Sequence, residues 1–144
     1  MVKSITEKCS AKINIAIDVL GKYPNGYHEV RMIMTQVGIF DVITISLKDE
    51  KGIEIAGSDI NMPVDESNLA WKAANEFFKA IKFDGGCDIY IEKHIPMGAG
   101  MAGGSSDAAG VINGLNKLFD SPLSLEERMK MGKKLGADVP FCVM

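Results

Sequence analysis

At 144 residues, with a formal charge of −3, 47% hydrophobic and 24% charged residues, the sequence has the make-up of one globular domain able to bury a core of its own. The acidic balance offers no general attraction for nucleic acid or an anionic membrane, so an anionic ligand must be held by local geometry. The longest apolar runs are a few residues and no charged-then-apolar leader opens the chain; neither a transmembrane helix nor a signal peptide is expected, and a cytoplasmic protein is.

Cys9, Cys87 and Cys142 are odd in number, far apart and outside any CxxC pair. They read as small core residues rather than a disulfide framework or a zinc site. The nine methionines read as core filler.

Over residues 10–20, Ile13, Ile15, Ile17 and Val19 alternate with Lys12, Asn14, Ala16 and Asp18, which predicts a strand with one buried face and with Lys12 and Asn14 side by side on the other. Pro24-Asn25-Gly26 is a tight-turn signal, and Tyr27 and His28 follow directly. Further strand patterns at 29–37, 42–48 and 52–56, with short polar joints, predict an antiparallel-type sheet. From Asn68 to Ile81 the spacing of Leu69, Ala73, Phe77 and Ala80 becomes helical, with Asp65 and Ser67 as candidate caps before it. Gly85-Gly86 breaks that helix, and Cys87, Ile89 and Ile91 form the apolar face of another strand that runs into a glycine-rich loop.

After the loop, Ala108, Val111, Ile112, Leu115 and Leu118 fit one face of a helix reaching about Phe119, ended by Asp120-Ser121-Pro122. Ser124 and Glu127 have the spacing of a capping box for a further helix ending at Gly132 or Gly136. Asp138 to Val143 closes as an apolar segment that begins like a strand and stops.

The loop Gly98-Ala99-Gly100-Met101-Ala102-Gly103-Gly104, followed by Ser105-Ser106, has four glycines in seven residues between a strand and a helix. Backbone N–H groups at a helix N-terminus lack intrahelical partners and carry the positive end of the macrodipole, so polyphosphate is the natural guest. The plain alternative is a turn that only permits close strand-to-helix packing. Gly98-x-Gly100-x-x-Gly103 also satisfies the dinucleotide fingerprint, but the next helix leads through Ser121-Pro122 to another helix instead of a second parallel strand. No Lys-Ser or Lys-Thr follows the glycines, as a Walker loop requires, and the protein-kinase glycine loop joins two strands.

The stretch Pro96-Met97-Gly98-Ala99-Gly100-Met101-Ala102-Gly103-Gly104-Ser105-Ser106 resembles the defining loop of the GHMP kinase superfamily, with Met101 where leucine is usual. Ala11-Lys12-Ile13-Asn14, Asn25-Gly26-Tyr27-His28-Glu29 and Gly136-Ala137-Asp138-Val139-Pro140-Phe141 extend the resemblance across the chain, toward the branch that phosphorylates a cytidine-diphosphate methylerythritol in non-mevalonate isoprenoid synthesis. The resemblance implies an α+β fold of the GHMP N-terminal type, similar to ribosomal protein S5 domain 2, with a mixed or antiparallel sheet and helices on one side.

It further implies transfer of the γ-phosphate of ATP to the C2 hydroxyl of the methylerythritol part. Asp138 matches the general base and Lys12 the lysine beside it. A tertiary alcohol is a poor nucleophile and needs a carboxylate to take its proton, while a lysine offsets charge on the phosphoryl group. Read alone, Asp138 is a turn residue near a proline and Lys12 a solvated strand lysine. Tyr27 and His28 match positions holding the cytosine, and Asn14 a substrate contact. Residues 96 to 106 match the ATP site, as do Asn68 and Lys93 near the adenine, although Asn68 could equally cap its helix. His94 has no matched role. ATP implies Mg²⁺, with Ser106 as its protein contact, and few dedicated ligands are expected.

Family members run to about twice this length, so residues 1–144 are expected to be the N-terminal, ATP-binding domain without the C-terminal one. Such a piece is expected to bind nucleotide weakly, to turn over slowly or not at all, and to self-associate through the face left open. The other readings are a homoserine or mevalonate type GHMP kinase and a non-catalytic nucleotide-binding module.

Overall fold

The computed structural model describes residues 3–144. Two long strands, β1 (Ser4–Lys22) and β2 (His28–Lys48), form a hairpin, followed by β3 (Gly52–Gly57), α1 (Leu69–Ile81), β4 (Gly86–Glu92), α2 (Gly103–Leu118), α3 (Leu125–Leu135) and the short α4 (Val139–Val143). The sheet order is β1-β2-β4-β3, with β3 parallel to β4 and the other pairs antiparallel. This is the mixed sheet of an α+β fold.

Alternation along the strands decides which face takes the helices. Cys9, Ala11, Ile43, Ile45, Ile55, Cys87, Ile89 and Ile91 point to the buried side, where they meet Ala73, Phe77, Ala108, Val111, Ile112 and Leu115 of α1 and α2. Each large side chain fully buried there contributes about 1.5–3 kcal/mol. The opposite face is hydroxylated and polar, with Ser4 beside Ser46 at 3.1 Å and Thr6 beside Thr44 at 3.4 Å. Helices therefore cover one side only. Two glycines of α2 permit this packing: a Cβ on Gly110 would stand 2.2 Å from Cys9 Sγ, and one on Gly114 2.9 Å from Ile45 Cδ1.

Five expectations need correction. The strand at 52–56 is not part of an antiparallel run: β3 skips β2 and lies parallel to β4 at the sheet edge. The alternation of Ile13, Ile15, Ile17 and Val19 does not mark a buried face: these side chains are 38%, 63%, 51% and 63% exposed. Beyond Lys12 the β1–β2 hairpin leaves the helical layer, and the register shift at Asn14/Ala16 sets Ile13, opposite Thr35, on the other face from Ile17 and Val19, opposite Met32 and Val30, so the four do not form one face. The patterns at 29–37 and 42–48 belong to one strand, because β1 is nearly as long and pairs along β2, register shifts at Ser10/Lys12, Asn14/Ala16 and Val19/Gly21 absorbing the irregularity. Asp65 and Ser67 do not cap α1; Asn68 does, its side chain accepting from Ala70 N, while Asp65 accepts from Ser67 N in the turn before. The segment after Asp138 is a helical turn, not a strand, with Pro140 in its first turn, where the missing N–H costs nothing.

The remaining elements stand as expected. Ser124 and Glu127 form a capping box, Ala108, Val111, Ile112 and Leu115 of α2 are buried with Leu118 partly so, and Cys9 and Cys87 are core residues with Cys142 half-buried.

Candidate active site

The glycine loop leaves β4 and returns as the first turn of α2. Gly98 (φ 72°) and Gly100 (φ 73°) take left-handed conformations that favour glycine, and a Cβ at either would meet nothing within 4 Å. Their surroundings are open toward the outside of the loop. Ala102 (φ 55°) is the N-cap of α2 and places no side-chain hydrogen bond on the helix terminus. The first N–H groups of a 16-residue helix therefore end at the loop without a side-chain cap.

A cavity of about 420 Å³ lies against this terminus. The loop from Pro96 to Ser105 forms one wall, and Asn68, Leu69, Lys93 and Asp107 complete it with Met62, Pro63 and Ser67. Asn68 and Lys93 thus sit at the same cavity as the loop. Both are also engaged within the protein: Asn68 caps α1 and donates from Nδ2 to Pro63 O at 2.7 Å, and Lys93 Nζ is paired with two carboxylates.

On the other side of the loop stands Lys12, which is buried and not solvated. Its ammonium lies 3.2 Å from Asp138 Oδ2 and donates to Asn14 Oδ1 at 3.3 Å, so the strand places Lys12 and Asn14 together as their spacing predicts. Main-chain bonds tie this group to the loop. Lys12 N donates to Met101 O at 3.1 Å, and Ser106 Oγ donates to Ser10 O at 2.7 Å. Asp138, one third exposed, is the N-cap residue of α4, and a Cβ on nearby Gly136 would lie 3.8 Å from Ser105 Oγ. Lys12, Asn14, Asp138 and the serines thus converge on one end of the loop.

Tyr27 and His28 are elsewhere. They occupy the tip of the hairpin, where Tyr23 N donates to Tyr27 O and Tyr27 N to Asn25 Oδ1. Lys22, the partner of His28, is ten residues along β1 from Lys12, about 33 Å of extended strand. No hydrogen bond or ion pair among the described residues joins the tip to the loop, and Tyr27 is 75% exposed.

Sequence reasoning passed over Asp41 and Asp107. Asp41 is fully buried on the helix-facing side of β2, and Asp107 is buried in the second turn of α2. Burial alone would raise the Asp41 carboxyl, but the N–H of Ile95, the Lys93 ammonium and the N–H of His94 hold it below its ordinary value. For Asp107 burial wins, pushing its carboxyl up to about 7 against the pull of Lys93. Burial would lower Lys93, yet Asp107 and Asp41 together keep it above its ordinary value. The available signal was an aspartate in the apolar run Ile39-Phe40-Asp41-Val42-Ile43, since a charge in a buried strand requires a partner.

Comparison with known proteins agrees with this architecture. Residues 68–144 match the family described as GHMP kinases N terminal domain. The 4-diphosphocytidyl-2-C-methyl-D-erythritol kinase of Lachnoclostridium phytofermentans is 49% identical over 140 residues, 97% of this chain and 48% of its own length. The protein of that name in Clostridioides difficile is 47% identical over 136 residues, 94% of this chain and 46% of its own. The chain spans about half the length of these curated relatives.

A crystal structure of 4-(cytidine 5'-diphospho)-2C-methyl-D-erythritol kinase superposes with a TM-score of 0.83 at 33% identity, covering 96% of this chain and 48% of that one. Homoserine kinase from Cytophaga hutchinsonii shares the fold at a TM-score of 0.73 and 15% identity, over 92% of this chain and 40% of its own. A glycine loop opening a helix, with the match over residues 68–144, places the chain in the GHMP kinases N-terminal domain family.

Proposed function

We propose that this chain is the N-terminal, ATP-binding domain of a kinase that transfers the γ-phosphate of ATP to the C2 hydroxyl of 4-diphosphocytidyl-2-C-methyl-D-erythritol, in isoprenoid precursor synthesis. The observation that carries the reading is the Lys12–Asp138 pair at 3.2 Å, bound through Lys12 N to the glycine loop at Met101. The named relatives, at 47–49% identity, supply the substrate class.

In this reading the loop N–H groups and the α2 terminus hold the polyphosphate, and Asn68 and Lys93 flank the nucleotide in the same cavity. Asp138 accepts the alcohol proton as the oxygen attacks the γ-phosphorus and the bond to the bridging oxygen of departing ADP breaks, and Lys12 offsets charge on the phosphoryl group. Asn14 positions Lys12 and meets the substrate. Magnesium, carried by ATP, supplies charge neutralisation at the phosphates. Ser106 would be the protein contact of such an ion: its hydroxyl gives its proton to Ser10 O and keeps lone pairs for a metal, while the side chain is buried behind the cavity lined by Ser105 and Asp107.

Tyr27 would stack on the cytosine and His28 read its polar edge. Their distance from Lys12 along the strand suits a long nucleotide-linked substrate better than a small acid or amino acid. The companion half seen in the relatives' length would supply the other wall, so residues 1–144 alone should bind ATP weakly and turn over slowly or not at all.

The test is phosphoryl transfer by a chain of the relatives' full length. Activity with the cytidyl substrate, lost in Asp138→Asn with ATP binding retained, is expected. Equal activity in Asp138→Asn, or preference for homoserine or mevalonate in competition, overturns the reading.

A further inference from the structure

Lys93 is the hub of a buried charge cluster whose three members come from three places around the glycine loop. Asp41 on β2 accepts the N–H of His94 at 2.5 Å and of Ile95 at 2.8 Å through Oδ1. Both donors lie immediately before Pro96, at the leading end of the loop. Through Oδ2 the same carboxylate takes Lys93 Nζ at 2.5 Å. The ammonium then donates to Asp107 Oδ2 at 2.9 Å, on α2, where the loop ends.

Gly103 explains how the lysine crosses: a Cβ there would lie 3.2 Å from Lys93 Nζ and 3.2 Å from Ile95 Cγ2. The missing side chain leaves the ammonium a passage beside the helix terminus. The side chains of Asp41, Lys93 and Asp107 are 0%, 6% and 4% exposed, so water competes for none of these bonds.

We infer that Asp41 is a positioning residue for the phosphate loop, clamping its leading end directly and its trailing end through Lys93 and Asp107. A glycine-rich loop has many conformations to lose, and N–H groups serve an anion only when already aimed. Inside the loop Gly98 and Gly100 add no restraint, since a Cβ at either would meet nothing within 4 Å, and the crest is held at one point, where Met101 O accepts from Lys12 N. The remaining restraint comes from its two ends. Asp41 itself lies outside the cavity lining, so it acts through Lys93 and the backbone and not on the ligand.

The inference rests on the nucleotide-binding reading of the loop, and its test separates the two. Backbone amide exchange is measured in the 144-residue chain without ligand, and ATP affinity with magnesium by displacement of a fluorescent nucleotide. Asp41→Asn should raise exchange at His94, Ile95 and Ser106, whose N–H groups are bonded at the two ends of the loop, at least tenfold and weaken ATP at least tenfold. Asp107→Asn, which keeps Asp41 on Lys93, should raise exchange only at the trailing end, read at Ser106, and leave His94 and Ile95 protected. Ile89→Val, a core change away from the loop, is the control for destabilisation.

Loop exchange in Asp41→Asn no different from Ile89→Val, or unchanged affinity while the native chain binds ATP, overturns the clamp. If Asp41→Asn does not fold, the Asp107→Asn pattern decides: loosening confined to the trailing end supports the clamp, and uniform or absent loosening overturns it. A native chain that binds no ATP overturns the nucleotide reading alone, while exchange in the free chain still judges the clamp.

Discussion

Gly132→Ala tests whether the seat of Asp138 depends on a contact remote from the reacting atoms. Gly132 is buried in α3, and a Cβ there would lie 2.9 Å from Val139 Cγ1 and 3.4 Å from Val139 C and Pro140 N. An ordinary carbon–carbon contact of about 3.8 Å requires a shift of about 0.9 Å at the start of α4. Asp138 is the residue just before, and its bond to Lys12 is only 3.2 Å. The stability effect should be small, because about 1 kcal/mol gained by removing a helical glycine opposes roughly 1–3 kcal/mol of overpacking. The rate effect should be large, since misplacing a reacting group by about 1 Å costs on the order of 100-fold. Urea unfolding and steady-state phosphoryl transfer by the relatives-length protein read the two separately. Adding Val139→Ala should restore much of the rate while lowering stability further. A rate within twofold of native, or a loss that Val139→Ala does not relieve, would refute the reasoning.

Other tests address packing, pH and surface. Gly110→Ala sets a methyl 2.2 Å from Cys9 Sγ and should cost about 1–3 kcal/mol in urea unfolding, partly recovered by Cys9→Ala. Asp41, held below its ordinary value, contributes stability above about pH 4 that is lost as pH falls through its lowered folded value. Asp107, raised to about 7, works in the opposite sense: the unfolded chain gives up this proton first, so stability declines as pH rises from about 4 to 7. Asp107→Asn should flatten that decline in urea midpoints, and parallel profiles for variant and native chain would refute the assignment. Ile17, Val19, Val30 and Met32 share one uncovered face of the hairpin, so the 144-residue chain should self-associate in sedimentation velocity; Ile17→Lys should abolish this and change stability by no more than about 0.5 kcal/mol.

Local signals in the sequence carried wherever the partner was local too. The Ser124–Glu127 box, the alternation of Cys87, Ile89 and Ile91, and the helical face of α2 all appear where their spacing predicts. Alternation failed at Ile13 to Val19 because the extra residue between Asn14 and Ala16 moves the later side chains to the other face, and no described residue covers them. It failed at Val139–Val143 because a short apolar run suits a strand or a buried helical turn equally, and packing on Gly132 and α2 chose the turn. In the site, Lys12 and Asn14 were legible as neighbours two residues apart. The approach of Asp138 and the enclosure of Lys93 by Asp41 and Asp107 join residues up to 126 positions apart, which no spacing rule reaches.

Backbone bonds, more than side-chain identity, make those distant groups one site. Lys12 lies where β1 shifts register between Ser10 and Lys12, and that irregularity turns its N–H to Met101 O while Ser10 O faces Ser106 Oγ. The strand is thus stitched to both the crest of the loop and the start of α2, and the lysine enters the site as a consequence of that stitching. At the opposite side, Asp41 fixes the two residues that lead into the loop. Gly98 and Gly100 can therefore stay free of side-chain contacts without leaving the loop unanchored. An anion cradle held at its crest and its rim is the arrangement a phosphoryl donor site needs, because the N–H groups must be aimed before the polyphosphate arrives.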